Sequence, residues 1–181
     1  MRIVKLVKKA KKGSKEALLQ LISEQQDAYY RLALSYMGNS HDAMDAMEDM
    51  IVSLYHSIPQ LKKEESFYSW SKTILVNRCK KLLQQQNKVV LMETPDENLE
   101  TPINISDGIN SFRQAEQRLD LKDMLSTLNA SQQEAIELKY LHDLDLQTIA
   151  DMTNVSIGTV KSRIFQGLKK MRDQFGGEWN G

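Results

Sequence analysis

Leu146-Gln-Thr-Ile-Ala-Asp-Met-Thr-Asn-Val-Ser-Ile-Gly-Thr-Val-Lys-Ser-Arg-Ile-Phe165 reads as two helices joined by a short turn. Two helices that cross after so short a turn need a small side chain at the crossing, and Ala150 supplies it. Asn154 falls in the turn, where left-handed backbone is easiest for glycine or asparagine. Val155 is placed to plug the gap between the helices, and Ser156 is a good N-cap for the second. In that second helix Ile157, Val160, Ile164, Leu168 and Met171 recur every three or four residues, which makes one inward stripe. The outward face follows by subtraction: Thr159, Lys161, Ser162, Arg163, Phe165 and Gln166. Cations, hydroxyls and one aromatic in this arrangement can meet phosphates, base edges and a thymine methyl in a DNA major groove. Gly158 lets the backbone come close to a phosphate at the positive end of the helix. An ordinary helical hairpin with a solvated basic face satisfies the same spacing, so the pattern needs support from the rest of the chain.

Working outward, the same periodicity extends over most of the 181 residues. The spacing predicts helices over Phe112 to Leu128, Ser131 to Leu141, Leu146 to Met152 and Ser156 to about Phe175. Upstream, Leu18, Leu19, Ile22, Tyr29, Leu32, Ala33 and Tyr36 fit two helices at a period of about 3.6 residues. Gly38-Asn39-Ser40 reads as a C-cap and turn, with Ser40 or Asp42 capping a helix that Pro59 stops. A further helix is expected from near Ser66 to about Gln86. Asn87 to Asn110 lacks periodicity and holds Pro95, Pro102 and Gly108 among acids and amides, the composition of a tether. The expected architecture is therefore all-α: a helical domain over residues 1–88, a flexible linker over 89–111 and a helix-turn-helix domain over 112–181.

Composition narrows the function. The 24 basic residues balance 24 acidic ones, but their distribution is uneven. The first fifteen residues are basic, Glu93 to Glu100 is acidic, and Ser156 to Arg172 carries five cations and no acid, the footprint expected of phosphate contact. No apolar run suits a membrane span, and the basic start leads into no signal-peptide pattern, so membrane insertion is not expected and a cytoplasmic protein is. The lone cysteine, Cys79, has no partner for a disulfide or a metal pair and is expected to be a small half-buried apolar residue. His41, His56 and His142 are scattered, with no phosphate-binding glycine loop and no metal-ligand spacing. No catalytic residue, cofactor or metal is assigned, and an enzyme is not expected.

Three further stretches give the chain a family resemblance. Leu128-Asn-Ala-Ser-Gln-Gln-Glu-Ala-Ile-Glu-Leu-Lys-Tyr140, with Ile149-Ala150 and Gly158-Thr-Val-Lys-Ser-Arg163, resembles region 4 of the sigma-70 superfamily of bacterial RNA polymerase sigma factors. Asp27 to Asn39 with Asp42-Ala-Met-Asp-Ala-Met-Glu-Asp49 and Leu54-Tyr55 resembles regions 2.1 and 2.2, and Phe67-Tyr-Ser-Trp-Ser-Lys-Thr-Ile-Leu-Val-Asn77 resembles region 2.3. The two halves of the match occur in the family's order, which identifies the chain as a member of the small, extracytoplasmic-function (ECF) type. The resemblance implies that Lys161, Ser162 and Phe165 contact the minus-35 promoter element, with Gln166 standing where many members have Arg. It implies that Asp42, Asp45 and Asp49 dock on core polymerase. Three carboxylates at that spacing share one helix face and suit a basic partner. It implies that the region-2.3 stretch captures the opened minus-10 strand. Tyr68, Trp70, Lys72, Asn77 and the loop Gln60 to Ser66 are the candidates, because rings beside cations bind unpaired bases. Trp70 also continues an apolar stripe toward Ile74, so core packing competes for it.

The family's basic track is thinned here, with Lys80 and Lys81 followed by Gln84-Gln85-Gln86, and a shallow salt dependence of promoter binding is expected. The resemblance further implies bacterial core polymerase and promoter DNA as partners, with an anti-sigma factor as a regulator. The competing reading is a stand-alone helix-turn-helix regulator that binds a duplex operator, usually as a dimer.

Overall fold

A computed structural model describes residues 2–93 and 123–175, with side chains over 2–87 and 123–174. The chain divides into two compact units, Met1–Ile105 and Ser106–Gly181. No strand occurs among the described residues.

The first unit opens with a helix that the apolar periodicity did not assign, α1 (Arg2–Lys11). It buries Val7 and Ala10 against α2 (Lys15–Glu24), which Ser14 caps by accepting a hydrogen bond from the Ala17 amide at 3.2 Å. The chain bends at Gln25 into α3 (Gln26–Met37), which Gly38 closes at φ +84°, a left-handed value that costs glycine nothing. The next helix, α4 (Ser40–Ser57), is capped by neither Ser40 nor Asp42. Asn39 caps it, because only Asn39 has the extended backbone that turns its side chain back onto the Asp42 amide, at 2.8 Å. Pro59 lies in a short 3-10 turn, Ile58–Gln60, directly after α4, and a second such turn, Glu64–Ser66, leads into α5 (Phe67–Glu93). Thus α5 runs past Gln86 into the first residues read as tether; the rest of that stretch lies outside the described residues.

Helices α3, α4 and α5 pack on one another around Tyr29, Leu32, Met50, Leu54, Phe67 and Leu75, all fully buried. A polar link at the centre is Tyr29 Oη to Ser71 Oγ, 2.7 Å, with both residues buried. Burial pushes the Tyr29 phenol well above its ordinary range, so it stays neutral and hydrogen-bonded. Cys79 is fully rather than half buried, since it faces the same core from α5, and burial pushes its thiol up to about 12.

In the second unit the expected helix over Phe112 to Leu128 is described only from residue 123, where it ends in buried Leu125 and Leu128. Asn129 and Gln132 then form a reciprocal capping box for α6 (Ala130–Ile136). The helix expected as far as Leu141 changes character at Glu137. Glu137–Leu141 is a π turn, closed by the His142 amide on the Glu137 carbonyl at 3.2 Å. Leu138 stays buried, while Tyr140 and Leu141 are exposed. Two further helices follow, α7 (Leu146–Thr153) and α8 (Ile157–Phe175).

Candidate nucleic-acid interface

The second unit builds its helix pair from local signals. Asp145 caps α7 by accepting from the Thr148 amide at 2.7 Å, and that bond holds its carboxyl below the usual range. Asn154 ends α7 in left-handed backbone, φ 56° and ψ 43°. Its neighbour Val155 is half-buried between the helices, and Ser156 starts α8 by accepting from the Thr159 amide at 3.1 Å. Ala150 is buried on the inner side of α7. Val160, Ile164 and Met171 are buried along α8, with Ile157 and Leu168 half-buried beside them.

The opposite side of α8 carries the candidate DNA residues. Phe165 is 66% exposed, although an apolar ring costs free energy when left in water. Lys161, Ser162 and Gln166 are exposed, Thr159 and Arg163 half-buried. At about 100° per residue, Lys161 and Arg163 fall on opposite flanks, roughly 200° apart across the outer face, with Ser162, Phe165 and Gln166 between them. A helix so arranged presents an aromatic ring and polar groups centrally and a cation to each side. Gln166 Nε2 donates to Ser162 Oγ at 3.3 Å, and the Thr159 hydroxyl lies 3.0 Å from that of Ser156, so these side chains are held by neighbours. Lys169, Lys170 and Arg172 extend the exposed cationic surface along the helix.

In the first unit the four aromatic-segment candidates divide between two sides of α5. Tyr68 and Lys72 lie a turn apart, with Lys72 Nζ 6.0 Å from the Tyr68 ring centre. Tyr68 Oη donates to the Leu21 carbonyl at 2.9 Å, which ties the ring to α2. Lys72 is half-buried; burial first, then the nearby Arg31, lowers its pKa from the ordinary lysine value. Trp70 and Asn77 sit on the far side, two turns apart and roughly in line. Trp70 is half-buried with its ring 6.1 Å from that of Phe67, and Asn77 is exposed.

The carboxylates of α4 also differ among themselves. Asp45 and Asp49 are exposed. Asp42 is half-buried and accepts from Asn39 Nδ2 at 2.9 Å and from Gln86 Nε2 at 3.3 Å, so it also joins α4 to α5. His41 brings Nε2 within 3.7 Å of Asp45 Oδ2. Beside this acidic strip α4 exposes Met44, Val52 and Tyr55, apolar groups that the helical period alone did not mark out as surface.

Comparison with known proteins places these geometries. The family model for sigma-70 region 2 matches residues 21–89, and that for sigma-70 region 4 matches residues 118–171. RNA polymerase sigma factor SigV of Bacillus subtilis is 32% identical over 166 residues, spanning 92% of this chain and 95% of its own. The ECF RNA polymerase sigma factor SigW of the same organism is 27% identical, spanning 96% and 97%. Among solved structures, the sigma factor RpoE in complex with the anti-sigma factor NepR, from Bartonella quintana, shares the fold at a TM-score of 0.64. It is 19% identical and covers 88% of this chain and 97% of its own.

Proposed function

Because the chain belongs to the sigma-70 superfamily of RNA polymerase sigma factors, in its ECF branch, we propose a division of a sigma factor's work between its two units. The chain directs promoter-specific transcription initiation. The domain over residues 1–88 docks on core polymerase through Asp42, Asp45 and Asp49 and holds the opened minus-10 strand with Tyr68, Trp70, Lys72, Asn77 and the loop from Gln60 to Ser66. The domain over 112–181 sets Thr159, Lys161, Ser162, Arg163, Phe165 and Gln166 against the minus-35 duplex, and residues 89–111 link the two. Phosphodiester chemistry belongs to the polymerase and not to this chain, and the protein works in the cytoplasm, where the polymerase is. No helix of the described residues is long and apolar enough to cross a membrane.

The observation that carries this reading is that one chain holds region 2 and region 4 in order. A stand-alone regulator would have no use for the region-2 unit, with its acidic α4 and its aromatic segment, and is not favoured. Since RpoE is known in complex with an anti-sigma factor, a protein of that kind is the regulator we assign to this chain as well.

Reconstitution with bacterial core polymerase tests the proposal. Promoter-selective transcription should depend on adding the chain, and promoter duplex should bind weakly without core enzyme. Equal binding with and without core enzyme would instead support the stand-alone regulator.

A further inference from the structure

The sequence marks residues 2–12 only as basic; the structure makes residues 2–11 a helix with two different sides. Lys5, Lys8, Lys9 and Lys12 are all exposed and fall within an arc of about 100° around α1. No acidic residue occurs in α1 to offset them. Among the described residues Lys5, Lys9 and Lys12 form no ion pair, whereas Arg2 is paired with Glu24 at 2.6 Å.

The other side of α1 is tied to the loop that precedes α5. Lys11 Nζ donates to the Leu61 carbonyl at 2.7 Å and lies 3.4 Å from Glu64 Oε1. A hydrogen bond from its own backbone amide, and then the Lys11 and Lys8 charges, outweigh desolvation and keep the Glu64 carboxyl below the usual range. This clasp brings exposed Lys62 and Lys63 beside the last turn of α1. Two segments far apart in sequence thus combine into one cationic edge.

We propose that this edge, Lys5 and Lys9 of α1 and Lys12 just after it with Lys62 and Lys63 of the clasped loop, binds the phosphate backbone of promoter DNA bordering the opened minus-10 segment. The proposal rests on the sigma-factor reading, which gives that loop to the minus-10 strand. It also offsets the thinned basic track on α5, where Gln84, Gln85 and Gln86 follow Lys80 and Lys81: cations missing from that helix are supplied from α1, so the salt dependence should be steeper than that track alone implies. A membrane surface is a poorer fit. A helix lying on lipid needs a free apolar face, and here Val7 and Ala10 are buried in the unit, with Ile3, Val4 and Leu6 half-buried.

The test uses holoenzyme assembled from core polymerase and the full chain, either parent or K5Q/K9Q/K12Q. Promoter affinity is measured across a salt series. Each phosphate contact adds roughly 0.7 to 0.9 to the slope of log affinity on log salt, so the triple variant should show a slope smaller by about 2 to 3, with unchanged affinity for core enzyme. K62Q/K63Q should lower the slope by a further amount of about 1 to 2. An unchanged slope in both variants overturns the proposal. So does a loss of core affinity with the slope intact, which would assign α1 to an acidic polymerase surface. Binding of the parent to phosphatidylglycerol vesicles, lost in the variant with the promoter slope intact, would assign it to lipid. If parent chain and core enzyme form no complex at all, the sigma-factor reading itself falls and takes this one with it.

Discussion

Gly167 is buried where α8 meets α6, and a methyl group added there would sit 2.5 Å from Ile136 Cδ1 and 3.4 Å from Gln132 Cβ. Alanine gains up to about 1 kcal/mol over glycine in a helix interior, but overpacking a tight contact costs about 1–3 kcal/mol. G167A should therefore destabilise the second unit by about 1 kcal/mol. Adding I136V, which removes the offending methyl, should bring back part of the loss in a denaturant titration, because the two sites touch. Asp145 makes a complementary case. D145A should cost about 1 kcal/mol, whereas D145N should keep the cap. The sign with pH follows from the lowered carboxyl. A folded pKa below the unfolded value of about 4 contributes stability at higher pH that is lost as pH falls through the folded value. The parent should therefore lose stability relative to D145N on acidification below about pH 4, and urea midpoints measured across that range check it.

At the scale of the element, the proposed DNA-binding face of α8 would separate phosphate contact from base reading. K161Q and R163Q, on its two flanks, should each lower the salt slope of promoter binding by about 1 and weaken all sequences alike. F165A and Q166A, between them, should leave the slope unchanged but alter discrimination among minus-35 variants, by about 1–3 kcal/mol where a base contact is lost. Competition binding with a panel of promoter duplexes distinguishes the two behaviours. Helix α4 calls for a similar division. Asp45 and Asp49 are exposed, whereas Asp42 is bonded to Asn39 and Gln86. D45K/D49K should weaken association with core polymerase, by tenfold or more if both charges face a basic surface, with little change in thermal stability. D42A should instead also lower stability, since it removes the partner of two hydrogen bonds.

For the whole molecule, each unit has its own core, and each core is closed by a feature that the apolar period does not show. In Met1–Ile105 it is the buried Tyr29–Ser71 pair, which joins α3 to α5. In Ser106–Gly181 it is the close approach of α6 and α8 at Gly167. The two family matches, over residues 21–89 and 118–171, fall one in each of these units.

The sequence by itself determined the all-helical class, the turn at Asn154, the Ser156 cap and the inward stripe of α8. These depend on interactions within a few residues, so pattern and local chemistry suffice. It also carried the family resemblance, in both regions. Only the tertiary structure decided that residues 2–11 form a helix clasped to the loop at Leu61, that Glu137 begins a π turn, and that Cys79 and Ser71 are fully buried. For the clasp of α1 and for buried Ser71 the deciding contact comes from a part of the chain far away in sequence. Lys11 meets Leu61 across fifty residues, and Tyr29 meets Ser71 across forty-two. Periodicity states which side of a helix is apolar, but not which neighbour covers it or how closely that neighbour approaches.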